Sequence, residues 1–274
     1  MAFATLIPPE PLSQLIESIW DWDAPAPAHR FERMLPVANA GLIINLAEDE
    51  TRVYDDAPGL ACTKFSGAAL DAPRHRSFVI DTAEQVRVMG VVFRCGAAAA
   101  FFHERMDTIA NAHVDLDDLV GTRARGLRER LLEARDSPSR LATLRAWLAD
   151  FAVHAALTPV LVAHATGILK RVPQIERIAD ACRATGVSQR RFGSVFREHV
   201  GMSPKCYARL QRFRAVVDAV QRGTRVEWSR VAADCGFYDQ PHLVREFHEF
   251  AGMTPSAYCA ARGEHANHVP LADA

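Results

Sequence analysis

The chain has no uninterrupted apolar run approaching the roughly 20 residues a membrane-spanning helix needs. Its start, Met1-Ala-Phe-Ala-Thr-Leu, lacks a basic stretch followed by a long apolar one. A cytoplasmic protein without a membrane partner is expected. Cys62, Cys95, Cys182, Cys206, Cys235 and Cys259 form no Cys-x-x-Cys pair, so neither a zinc site nor a disulfide framework is implied, and mostly buried free thiols are expected. No His-x-His occurs, and His29, His75, His103 and His113 stand singly. The neighbouring ligands that a metal-using β-barrel enzyme requires are missing, and neither a metal nor another cofactor is expected.

Net charge is also nearly absent, at −1. Split along the chain, it becomes informative. Residues 159–262 hold 16 Lys and Arg against 9 Asp and Glu, a net of +7, whereas residues 1–158 hold 16 against 22, a net of −6. Glu264 and Asp273 complete the balance. A basic C-terminal third beside an acidic N-terminal part suits phosphate binding by one domain. A length of 274 residues, 49% hydrophobic and 24% charged, is enough for two ordinary globular domains.

The expected organisation is α+β. Residues 1–115 read as a β-rich domain, because short apolar runs such as Gly41–Leu46, Ser77–Ile80 and Val86–Phe93 alternate with Pro, Gly and Asp clusters such as Asp55–Gly59. Two helices interrupt that reading. Leu12, Leu15, Ile16 and Ile19 lie on one helical stripe within Pro11–Trp20, and Ala97–His103 forms a second short helix. Residues 116–158 turn helical, with Leu141, Leu144, Trp147, Leu148 and Phe151 at three- and four-residue steps, forming either core or a dimerisation surface. An all-α domain follows over 159–262, then a flexible tail over 263–274.

The all-α region contains a duplication. Gly186-Val187-Ser188, Phe192, Phe196 and Gly201-Met202-Ser203-Pro204 recur as Gly236-Phe237, Leu243, Phe247 and Gly252-Met253-Thr254-Pro255. Helical spacing with matched stop signals reads as two helix-turn-helix units. In the first, a helix over Gln174–Ala184 turns inward Ile175, Ile178, Ala181 and Cys182, Gly186 makes the turn, and Ser188 caps Gln189–His199. Phe192, Val195 and Phe196 are buried there, leaving Gln189, Arg190, Gly193, Ser194 and Arg197 outside. In the second, Trp228, Val231, Ala232 and Cys235 face inward, Asp239 caps, and Leu243, Phe247 and Phe250 are buried. Gln240, Pro241, His242, Val244 and Arg245 then form the reading face. Polar residues in the first turns of such a helix meet base edges in the major groove. Between the units, Tyr207, Leu210, Phe213, Val217 and Val220 keep one apolar stripe that would set the separation of the two readers, about 34 Å or one turn of duplex.

The stretch Asp239-Gln240-Pro241-His242-Leu243-Val244-Arg245-Glu246-Phe247, followed by Gly252-Met253-Thr254-Pro255-Ser256-Ala257-Tyr258, resembles the signature of the AraC/XylS transcription regulators. Gly201-Met202-Ser203-Pro204-Lys205 with Arg209, Arg212 and Phe213 resembles a subgroup of them. The likeness covers about 100 residues. It implies double-stranded DNA as partner, and places base reading at Arg190, Gly193 and Ser194 in the first unit and at Pro241, His242 and Arg245 in the second, to which the exposed helix faces add Gln189 and Gln240. Contacts to the DNA backbone fall on Ser188, Arg191, Arg197, Lys205, Arg209 and Arg212, the basic residues among them and Arg214 being either phosphate neighbours or internal salt-bridge partners. Two departures matter: Gly193 has no side chain to read with, and Leu243 replaces a common Phe, so the operator cannot be transferred.

Trp20-Asp-Trp22, Arg33-Met-Leu-Pro36, Asn45-Leu46, Gly67 and Gly90–Gly96 resemble, more weakly, the degenerate cupin-like sensory domain of the same regulators. This implies a small-molecule effector, with Trp20, Trp22, Arg33 and Arg94 lining its pocket, and brings in RNA polymerase and a second copy of the chain as further partners. The chain is expected to activate or repress transcription and not to be an enzyme. The alternative is a DNA-repair alkyl-transfer protein or a cupin-type enzyme fused to a DNA-binding domain. An alkyl-transfer protein needs an activated, exposed thiol, whereas Cys62 and Cys95 sit in apolar surroundings that raise a thiol pKa.

Overall fold

The computed structural model describes residues 2–55, 61–155, 158–171, 177–222 and 226–271. The N-terminal strands are β1 (Ala2–Leu6), β2 (Ile16–Asp23), β3 (Phe31–Met34), β4 (Gly41–Asn45), β5 (Glu50–Tyr54), β6 (Cys62–Ser66), β7 (Ala68–Asp71), β8 (Phe78–Asp81), β9 (Arg87–Phe93) and β10 (His113–Asp115). Helices α1 (Ala97–Phe102) and α2 (Met106–Ile109) lie between the last two. The strands pair antiparallel into two sheets, one ordered β1-β2-β9-β4-β7-β10 and one containing β3-β8-β5-β6. The α1 helix lies where the sequence places it. Part of the turn cluster expected near Asp55 falls outside the described residues.

Pro11–Trp20 is not a helix. A single 3-10 turn at Leu12–Gln14 is followed directly by β2. The helical spacing of Leu12, Leu15, Ile16 and Ile19 is overridden because Ile16–Asp23 is rich in β-branched and aromatic residues and finds partners on both edges, β1 and β9. Ile16, Ile19 and Asp21 are buried on one face of β2, while Trp20 and Trp22 alternate onto the other. Gly90 sits opposite Trp20, and a Cβ there would collide with the indole.

Residues 116–155 supply α3 (Leu116–Val120), α4 (Leu127–Glu133) and α5 (Ser137–Ala152). Asp136 caps α5, its side chain accepting from the Ser139 amide at 2.9 Å. The stripe Leu141, Leu144, Trp147, Leu148 and Phe151 is buried in one cluster with Ile16, Ile19, Leu42, Met89, Phe93 and Phe101. Arg140, also buried, pairs with Asp21 at 2.8 Å. This stripe is therefore covered by the chain's own sheet, the core role that its periodicity allowed.

The C-terminal helices are α6 (Val160–Arg171), α7 (Arg177–Ala184), α8 (Gln189–Val200), α9 (Pro204–Arg222), α10 (Trp228–Asp234), α11 (Gln240–Ala251) and α12 (Pro255–Ala261). The expected start of the seventh helix, at Gln174 and Ile175, lies outside the described residues. Tyr207, Leu210, Phe213, Val217 and Val220 of α9 are all buried, in one core with Phe192, Phe196, Leu243, Phe247 and Phe250.

The tail is not a loose end. Residues His268–Pro270 form β11, which adds an antiparallel edge to β3 with His268 opposite Met34 and Pro270 opposite Glu32. The Leu35 amide donates to the Asn267 carbonyl and the Leu271 amide to the Phe31 carbonyl, both at 2.9 Å, and Val269 is fully buried. The flexible tail expected over 263–274 is thus corrected through Leu271: its backbone satisfies the open edge of β3. The two halves also share core. Leu35 and Ala38 belong to the helical cluster, and Gly201, just past α8, rests on Met106 and Pro73.

His113 is buried between Phe65 and Phe78, with Arg74 bonded to its Nδ1. Burial pushes its pKa down to about 4, against the pull of Asp71 and with help from Arg74. The fold holds the neutral ring, so this stability is complete above pH 6.5 and is lost as pH falls toward 4, on the order of 3 kcal/mol. NMR titration of the His113 ring in the native protein should show a midpoint well below 6; a midpoint near 6.5 would contradict the assignment.

Candidate nucleic-acid interface

Each unit of the duplication is built by the same local chemistry. Gly186 (φ 68°) and Gly236 (φ 77°) make the left-handed turns that side chains resist. Ser188 caps α8 by accepting from the Arg191 amide at 3.3 Å, and Asp239 caps α11 by accepting from the His242 amide at 2.7 Å. The following helices start in matching fashion: Ser203 accepts from the Cys206 amide at 3.1 Å and Thr254 from the Ala257 amide at 3.2 Å. Pro204, Pro241 and Pro255 all fall in first turns, where the missing N–H costs nothing.

These caps leave the first turns of α8 and α11 open to solvent. Ser188, Gln189, Arg190, Arg191 and Arg197 are exposed on and beside α8, as are Gln240, Pro241 and Arg245 on α11. Among the described residues none of Arg190, Arg191, Arg197 and Arg245 is held in an ion pair. Gly193 and Ser194 are half-buried on α8. The other end of α8 abuts the N-terminal half, where Glu198 approaches Arg105 at 3.9 Å. The solvent-facing end is thus the one carrying the sequence-predicted reading residues.

Four side chains of the sequence-predicted set have partners within the chain. Arg209 bonds Glu246 at 2.8 Å and also engages Glu249, and the hydrogen bonds from its guanidinium hold its charge firmly in place. Arg212 is buried at 5% exposure, donates to the Gly236 carbonyl at 3.2 Å and lies over the Phe237 ring. These two side chains brace α9 against the second unit, the internal pairing that is one of the two roles expected of them. Arg214, largely covered, lies 3.9 Å from Asp218 on its own helix. His242 is also turned inward: its ring meets Phe237 edge-on and its Nδ1 accepts from the Tyr238 amide at 3.3 Å.

Sequence reasoning missed Tyr238. It stands in the turn immediately before the Asp239 cap and is 92% exposed. Its signal was a large aromatic side chain outside the helical repeat. Lys205 is exposed in the first turn of α9.

In the N-terminal half, Trp20 and Trp22 line a cavity of about 410 Å³. Arg33 and Arg94 do not line it. Arg33 lies on β3 opposite Val269 of β11, and Arg94 donates to the Ser13 carbonyl at 2.6 Å beside a separate, smaller cavity. Cys62 is exposed, contrary to its apolar sequence surroundings, because it sits on the outer strand β6. Cys95 meets Tyr207 across the boundary between the halves, and burial of its thiol pushes the pKa up to about 12. It is a poor candidate for the activated nucleophile that alkyl transfer requires. Among the described residues no group of three or more His, Cys, Asp or Glu side chains is arranged to hold a metal ion, and no helix is long and apolar enough to cross a membrane.

Two family models match: a helix-turn-helix domain over residues 181–261 and a domain of unknown function (DUF6597) over residues 4–115. The HTH-type transcriptional activator RhaR of Yersinia pseudotuberculosis is 35% identical over 81 residues, as is RhaR of Yersinia pestis. Each match covers 30% of this chain and 28% of the relative. Among solved structures, ToxT from Vibrio cholerae aligns over 94% of this chain and 97% of its own, at 11% identity and a TM-score of 0.47.

The Arg209 geometry yields a direct test. Arg209→Ala should lower stability by about 1 to 3 kcal/mol, the usual worth of hydrogen bonds to charged groups, and leave the salt dependence of DNA affinity unchanged. Thermal unfolding together with binding at several salt concentrations decides between this bracing role and phosphate contact.

Proposed function

We propose that the chain, through its tandem helix-turn-helix region, is a member of the AraC family of transcription regulators and reads two adjacent major-groove segments of a specific operator. The observation that carries this reading is the pair of capped, solvent-open helix starts on one core, each presenting an unpaired arginine. Arg190 and Arg245 have the fork of donors that suits guanine O6 and N7, and Gln189 and Gln240 suit adenine N6 and N7. Ser194 stands in the next turn of α8, and Pro241 offers an apolar contact to a thymine methyl. His242 acts from behind by fixing the turn that presents Tyr238.

Sequence-independent contacts fall to Arg191, Arg197 and Lys205, and to the amide-rich start of α8 beside Ser188. The spacing follows from α9. Its 19 residues give a rod about 28 Å long, of the size needed to set two helices roughly one duplex turn apart. In this reading the N-terminal half is the sensor, with an effector in the cavity lined by Trp20 and Trp22. RNA polymerase and a second copy of the chain are further partners.

Selection of bound sequences from a random duplex pool tests the proposal. Arg245→Ala should lose preference at one or two base pairs, with about 1 to 3 kcal/mol of discrimination removed. Equal weakening on every sequence would assign Arg245 to phosphate instead. Arg191→Ala should weaken all sequences alike and reduce the slope of log affinity against log salt by about 1. An unchanged slope would remove Arg191 from the phosphate contacts.

A further inference from the structure

The cavity lined by Trp20 and Trp22 lies where the two halves of the chain meet, and one of its walls comes from the C-terminal segment. His265 meets Trp22 edge-on with ring centroids 5.7 Å apart, and Phe3 meets the same indole at 6.2 Å. His268, in β11, also lines the space. The charged group in the lining is Glu32, whose Oε2 bonds His268 Nδ1 at 2.7 Å and whose Oε1 bonds His29 Nε2 at 2.6 Å. No lysine or arginine lines the cavity among the described residues.

Aromatic faces around a fixed carboxylate attract positive charge: indole is the strongest of the side-chain π systems, and the attraction grows when water is excluded. Burial works against the Glu32 charge, yet the hydrogen bonds from His268 and His29 hold its carboxyl below the usual range, so the anion persists. A carboxylate ligand would meet Glu32 in a lining that, among the described residues, offers no lysine or arginine to pair with it, the imidazoles of His268 and His29 already being engaged by Glu32 itself. The volume suits a molecule of small size, and Pro25, Pro27 and Val88 supply apolar surface for its body.

The wall is fastened to both halves. Gln221 of α9 donates to the Gly263 carbonyl at 3.4 Å, and the Tyr258 hydroxyl of α12 donates to the Ala266 carbonyl at 3.0 Å. Beyond these, β11 is laddered onto β3. A ligand touching His265 and His268 on one side and Trp20 and Trp22 on the other binds the closed arrangement better than an open one, and so stabilises closure.

We propose that this cavity binds a small organic cation with an apolar or aromatic body, and that the segment 263–271 is its closing wall. The inference rests on the reading of the N-terminal half as a sensor and names the chemistry it senses.

Calorimetric titration of the full chain with phenethylammonium, phenethyl alcohol and phenylacetate compares three head groups on one body. The cation should bind about tenfold more tightly than the alcohol, and phenylacetate most weakly. Glu32→Gln should bring cation and alcohol within about twofold. Phe3→Ala, which removes a ring that is 60% exposed and so leaves the core intact, should weaken the cation about threefold. Hydrogen exchange at the amides of Asn267, His268, Val269 and Leu271 should slow when the cation is bound. Alcohol or phenylacetate binding as well as the cation, no saturable binding of any of the three, or unchanged exchange in that segment would overturn the proposal. Should Glu32→Gln fail to fold, the head-group order and Phe3→Ala decide. Because the titration contains no DNA, failure of the wild-type chain to select a duplex sequence would sink the regulator reading while leaving the head-group order interpretable.

Discussion

The C-terminal half depends on one stripe of side chains along α9. Phe196 of α8 packs on Tyr207 at its N-terminal end, and Phe247 and Phe250 of α11 pack on Phe213 further along. Two helices attached to one rod, α8 and α11, cannot change their separation without opening that core. A close-packed interior resists such opening, because each displaced ring loses dispersion contacts and gains exposed apolar surface. Rigidity is what lets two short helices act as one reader rather than as two weak ones.

The same packing divides the arginines into two populations. On α11, Arg245 and Glu246 are neighbours in sequence but about 100° apart around the axis, so one faces water while the other turns back toward α9. Glu246 captures Arg209 and approaches Arg212 at 3.5 Å, and these guanidiniums pin the second unit to the rod. Arg190, Arg191, Arg197 and Arg245 stay on the solvent side. The surplus of positive charge in this region is therefore only partly available to a polyanion, the rest being spent on internal order.

The end of the chain ties the helical half to the sheets. β11 completes an edge that would otherwise expose unpaired backbone groups, and the segment leading into it sets the His265 ring edge-on against Trp22 of β2. Leu35, Ala38 and the contact between Cys95 and Tyr207 make the boundary between the halves continuous with both cores. A cavity at such a boundary is positioned so that whatever fills it contacts residues fastened to the helical half.

By itself the sequence determined what depends on neighbours within a few residues: the paired helix-turn-helix units, their glycine turns and Ser188, Ser203, Asp239 and Thr254 caps, the exposed faces of α8 and α11, and the β-rich character of the first 115 residues. Those features follow from periodicity and capping chemistry, which a linear chain displays directly. Only the tertiary structure decided the rest. Ile16–Trp20 has helical spacing yet becomes a strand because β1 and β9 offer backbone partners. Arg209 and Arg212 look like Arg190 in a sequence and are withdrawn by Glu246 and the Gly236 carbonyl. The stripe of α5 packs against β2, more than a hundred positions earlier in the chain, and a three-residue tail strand has too little pattern to be seen until β3 presents its edge. In each case the deciding partner is distant along the chain, and hydrogen bonds and charge pairing between distant segments leave no periodic mark on either one.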